Sequence, residues 1–157
     1  MSKDQQSDLG KFCSKMDEFF SVLKNAFPED KDLPYYEDKL KAARKINPRM
    51  VCEKFMKIVS LPADQNSPNG HLFLHHIMMN DDAFFLQLNA SQYIMDETYL
   101  KLIDKVTLLW SSMSENSHMA LKKYMQILVT RGAIATKDPM ATAIINEYRV
   151  REGLPSI

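Results

Sequence analysis

The stretch Ile46-Asn47-Pro48-Arg49-Met50-Val51-Cys52-Glu53-Lys54-Phe55-Met56-Lys57-Ile58-Val59 decides the fold class. Asn is a strong helix N-cap, and Pro is favoured as the first helical residue because its missing N–H has no partner there anyway. Asn47-Pro48 therefore ends one helix and starts another. Downstream, Val51, Cys52, Phe55, Ile58 and Val59 recur at steps of three and four, which puts them on one buried face. Upstream, Tyr36, Leu40, Ala43 and Ile46 keep the same spacing from a start near Pro34. Two helices meeting at a corner, with no alternating pattern on either side, predict an all-α protein.

The rest of the chain repeats this grammar. Leu9, Phe12, Cys13, Met16, Phe19, Phe20, Leu23 and Phe27 form a helical stripe that Ser7 or Asp8 can cap and Phe27-Pro28 ends. Asp96-Glu97 suits the positive end of a helix carrying Tyr99, Leu102, Ile103, Val106, Leu109, Trp110 and Met113. Ser114 caps the next helix, whose end is read at Arg131-Gly132. Asp138-Pro139 repeats the cap-plus-proline signal for a last helix carrying Met140, Ile144, Ile145 and Tyr148. Apolar segments 72–79 and 83–88, divided by Asn80-Asp81-Asp82, are too short to fix their form, with Asp81 or Asp82 as a cap for the second. The expectation is a compact single-domain bundle of about six or seven helices. Residues 1–7 read as a disordered lead-in, 8–153 as one helical domain with a long Pro/Asn/Gly loop at 60–70, and 154–157 as a tail.

Composition narrows the function classes. The chain has 157 residues, 45% hydrophobic and 25% charged, enough for one core without a metal or disulfide staple. Twenty basic residues balance twenty acidic ones, so no global field steers the chain to nucleic acid or an anionic membrane. No apolar run approaches the ~20 residues of a membrane span. The polar start lacks a secretory pattern, and Cys13 and Cys52 sit on apolar helix faces, so both are expected as buried thiols in an intracellular, reducing compartment.

Sites for chemistry are sparse. His71 and His75 lie four apart and would share a helix face, a weak metal candidate to which Asp81 or Asp82 would add an oxygen. Leu72 stands where a metalloprotease pair needs its glutamate, so the bland reading, surface or partly buried histidines, is preferred. Acidic pairs coincide with helix starts, where capping explains them. No nucleophile elbow or phosphate-cradling glycine loop occurs, and no cofactor is expected.

Charge distribution says more than the total. Residues 35–57 hold seven basic residues against three acidic ones, and residues 58–104 hold Lys101 alone against six acidic ones. Lys41, Arg44, Lys45 and Arg49 form the candidate basic binding face, for an acidic protein partner or, as the alternative, nucleic acid. Methionines spread over most helices either fill core gaps or line an adaptable groove for a protein partner.

Phe27-Pro28, Asn47-Pro48-Arg49 with Phe55, Asp82 before Phe84-Phe85-Leu86, Leu109-Trp110 and Lys123-Tyr124-Met125-Gln126-Ile127-Leu128 follow one another over about residues 12–130. In order and spacing these strings resemble a family of small helical proteins of unknown function encoded by nucleocytoplasmic large DNA viruses. The resemblance implies a viral protein, in the virion or acting in host cytoplasm or nucleus, without catalytic residues to carry over.

Overall fold

The computed structural model describes residues 7–62, 72–86 and 97–157, with the Phe85 and Leu86 side chains left out. The lead-in before Ser7, most of the 60–70 loop, residues 87 and 88, and Asp96 lie outside the described residues. Eight helices form among them: α1 Asp8–Ala26, α2 Asp32–Ile46, α3 Pro48–Val59, α4 Phe73–Met78, α5 Asp82–Leu86, α6 Glu97–Trp110, α7 Glu115–Thr136 and α8 Pro139–Arg151. The count exceeds the expected six or seven because both short apolar segments are helical.

Side chains fix most of the helix starts. Ser7 Oγ accepts the Gly10 N–H at 3.0 Å, Asn47 Oδ1 the Met50 N–H at 3.1 Å, and Ser114 Oγ the Ser117 N–H at 3.2 Å. Asp138 Oδ1 takes the N–H groups of Met140 and Ala141. Asp81 Oδ1 takes that of Phe84, so Asp81 caps α5. α2 starts two residues before Pro34, because Asp30 Oδ1 accepts the Asp32 and Leu33 N–H groups. Replacing Asn47 by Ala is expected to cost ~1 kcal/mol through the lost cap. An unchanged denaturant midpoint would contradict that role.

One predicted boundary is wrong. α7 does not end at Arg131-Gly132 but continues to Thr136, and Lys137 closes it in the left-handed region at φ 55°. Gly132 is buried inside the helix, where Met56 of α3 lies directly against its Cα. The glycine serves close helix approach, not termination. Within α7, Met119 is exposed, while Leu121, Leu128, Val129 and Ala133 carry the buried face.

α1 and α7 pack along much of their length as the central pair, with α3 also against α7. Tyr124 donates to Glu18 across α7 and α1 at 3.1 Å. Gln126 Nε2 reaches the carbonyls of Ile77 and Met78, so α7 holds the end of α4. At the far side Lys105 bridges Asp30 and Asp32 at 2.9 and 2.8 Å. The hydrogen bonds it donates to Asp32 and Asp30 raise the Lys105 pKa to about 12. Burial alone would raise the Asp30 carboxyl, but the Lys105 hydrogen bond and the Asp32 and Leu33 N–H groups outweigh it and hold the carboxyl below its ordinary range. The sign follows from linkage. Asp30 contributes stability above its unfolded pKa that is lost as pH falls through its lowered folded value. Lys105 contributes stability below its unfolded pKa that is lost as pH rises through about 12. Lys105→Met is expected to cost about 2 kcal/mol at pH 7, between an exposed and a fully buried pair. Denaturation at pH 7 and pH 2 measures it, and the difference between variant and parent should shrink at pH 2.

The core forms three clusters. The first joins α1, α2, α3, α6 and α7 around Phe12, Phe20, Leu40, Leu102 and Leu128. The second joins α3, α4, α7 and α8 around Leu74, Val129, Ala141 and Ile145. The third gathers Leu23, Leu33, Trp110, Met113 and Leu121. They meet around a central cavity of about 150 Å³. The C-terminal residues turn back on α8: Arg149 Nε donates to the Pro155 carbonyl at 2.7 Å, and the Ile157 N–H to Asn146 Oδ1 at 2.8 Å. No described helix is long and apolar enough to cross a membrane.

Candidate functional site

The basic residues singled out in the sequence have different fates. Arg44 is the least available. Its guanidinium donates to the Cys13 carbonyl at 2.9 Å and to Asp17 at 2.8 Å, and its side chain is 13% exposed. It ties α2 to α1. Lys41 is exposed and lies 3.7 Å from Glu37, which is buried and also takes Lys24 at 2.6 Å. Lys45 and Arg49 are exposed at the α2–α3 corner. Of the four, Arg44 is engaged within the fold as a clamp between α2 and α1, while Lys41, Lys45 and Arg49 are exposed.

His71 lies outside the described residues, and so does the His71–His75 pair as a unit. His75 Nδ1 accepts the Leu72 N–H at 2.9 Å, which satisfies the start of α4. His76 Nδ1 lies 2.9 Å from Asp81 Oδ2, and its ring stacks on Phe84 at 3.9 Å. The His76 hydrogen bond, then the Phe84 N–H, holds the Asp81 carboxyl below its usual range. His75 thus organises the start of α4 and His76 the α4–α5 junction. Among the described residues no three His, Cys, Asp or Glu side chains converge as metal ligands. Cys13 and Cys52 are both free thiols. Burial pushes Cys52 up to about 12 and raises Cys13 as well, which disfavours the reactive thiolate.

The feature that gathers exposed apolar and cationic groups lies elsewhere. A groove of about 640 Å³ runs between α3 and the α7–α8 turn. Met56, 3% exposed, is its floor; Met50 and Met140, 40% and 49% exposed, stand on opposite sides. Pro139 adds apolar surface, and Lys54, Lys57 and Lys137 supply the rim. Of the acids in its wall, Glu53 is exposed, and Asp138 has its Oδ1 engaged in capping α8. Among the described residues no carboxylate forms an ion pair with Lys57 or Lys137.

Local sequence explains each wall. The Asn47 cap fixes where α3 begins, so Met50, Lys54 and Lys57, at steps of four and three, share its outer face. Lys137 in the left-handed region turns the chain, and Asp138-Pro139 restarts it so that Met140 faces α3. Gly132 brings the two walls together by admitting Met56. Lys137, Pro139 and Met140 were not legible as site residues, because their partners lie some eighty positions upstream. Thioethers adapt their shape to an incoming apolar group, and ammonium groups on the rim attract carboxylates. The geometry is suited to holding a ligand, and its residues form no nucleophile–base pair. Comparison with known proteins gives no match: no family model fits the chain, and no curated protein or solved structure is similar to it.

Proposed function

We propose that this protein is a non-catalytic docking module that binds an acidic segment of a protein partner, anchored by one or two bulky apolar side chains in the Met50–Met56–Met140 groove. The observation that carries the reading is the coincidence of half-exposed methionines with lysines in one concavity. Either alone is ordinary surface; together they match an apolar anchor flanked by carboxylates. The resemblance to helical viral proteins without catalytic residues fits the same reading and makes a viral or host protein the partner.

Selection of displayed random peptides on the intact protein tests it. Enriched sequences are expected to pair Asp or Glu with Leu, Phe or Trp, and to bind Lys57→Glu/Met140→Glu at least about tenfold more weakly. Both positions are exposed, and an acidic residue in the first turn of α8 suits the helix dipole, so the variant keeps its fold. Peptides that bind parent and variant equally, or no enrichment, would overturn the assignment. Salt-sensitive binding of a DNA or RNA oligonucleotide that is lost with Lys41, Lys45 and Arg49 would replace it with nucleic-acid recognition.

A further inference from the structure

Among the described residues, the centre of the bundle leaves an apolar space that is partly open to the outside. α1, α3, α4, α6 and α7 all present side chains to it, among them Phe20, Phe55, Ile58, Val106 and Met125, and Leu40 of α2 also lines it. Its exposed wall atoms are entirely apolar. The hydroxyl of Tyr99, whose ring contributes to the wall, donates to the Val51 carbonyl at 3.2 Å. A water molecule needs two to four polar partners, so such walls hold water weakly. An apolar space of this size lined by aliphatic and aromatic side chains is large enough for benzene or xenon.

We propose that the cavity, about 150 Å³ in volume, is a binding site for a small apolar ligand, a ring or short hydrocarbon of benzene's size without hydrogen-bonding groups. Two observations separate it from a local packing fault. All three core clusters border it, through residues such as Phe20, Val59 and Trp110, so the void belongs to the architecture and not to one mismatched pair. Its wall also includes Met16 and Met125, whose flexible thioethers can close on guests of different shape. No residue of the Met50–Met140 groove lines it, so this inference stands independently of the docking function.

The test is a titration of the full-length, methyl-labelled protein with benzene, followed in carbon–proton correlation spectra, with phenol as the polar counterpart. Benzene is expected to shift the methyls of Ile58, Val106 and Met125 saturably and to leave those of Met50 and Met140 in place. Phenol is expected to bind at least about tenfold more weakly, because its hydroxyl would enter without an acceptor. Val106→Phe, which fills the space, should abolish the shifts. Should that variant fail to fold, xenon applied to the parent protein reads the same methyls. Absence of saturable shifts with both benzene and xenon would overturn the proposal, as would phenol binding as tightly as benzene.

Discussion

Trp110→Ala is expected to lower the unfolding free energy by about 3–5 kcal/mol, the range for deleting a buried aromatic side chain. Trp110 is 2% exposed at the end of α6 and anchors the third core cluster with Leu23, Leu33, Met113 and Leu121. Its indole stacks on the His118 imidazole at 4.7 Å, a contact across the α6–α7 junction that the substitution removes while the Trp110 carbonyl stays joined to His118 Nε2. The ring also walls the central cavity, so its removal enlarges an existing void instead of opening a small one that neighbours can close. Urea denaturation followed by circular dichroism measures the loss. A midpoint lowered at unchanged slope would show that stability alone has changed. A loss below about 1 kcal/mol would mean that Trp110 does not sit in the core, since even modest core truncations cost that much.

Gly132→Val should cost about 3 kcal/mol, and Gly132→Ala about 1 kcal/mol, although alanine favours helix by nearly as much. A Cβ at this position would sit 3.0 Å from Met56 Cγ, 3.5 Å from Phe12 Cε1, and closer still to the Met56 sulfur. Met56 is buried against α7, so its side chain yields by changing rotamer in a packed core, by rising into the groove whose floor it forms, or by moving α3. Both variants are therefore expected to weaken peptide binding as well as stability. Thermal denaturation and peptide affinity, measured together, check this. Gly132→Ala raising stability by ~1 kcal/mol, the pure helix-propensity gain, would show that α3 and α7 do not approach as closely as described.

Gly132 also shows where sequence reasoning succeeds and where it stops. Capping is local chemistry, so Asn47-Pro48, Ser114 and Asp138-Pro139 mark helix starts that the structure bears out. The spacing of Val51, Cys52, Phe55, Ile58 and Val59 likewise leads to the buried side of α3, with Met56 added by its contact with α7. Glycine is ambiguous, because it serves helix termination and close helix packing alike, and only the partner helix decides between them. Arg44 misled for the same reason. It belongs to a basic run in sequence, but Asp17 and the Cys13 carbonyl on a different helix claim its guanidinium. The Met50–Met140 groove was legible only in halves. A mixture of methionine and lysine on α3 is visible in the sequence, whereas the α7–α8 turn that completes it is brought there by tertiary packing.

The most direct measurement of the docking reading uses methionine-methyl spectra of the intact protein, titrated with the acidic-apolar peptide that selection enriches. Of the chain's eleven methionines, those among the described residues lie on or beside α1, α3, α4, α6, α7 and α8 and serve as reporters. The account predicts saturable shifts at Met50, Met56 and Met140, with exposed Met119 unchanged, and their loss in Lys57→Glu/Met140→Glu. Saturable shifts centred on Met119, or none at the three groove methionines while the peptide binds, would contradict it.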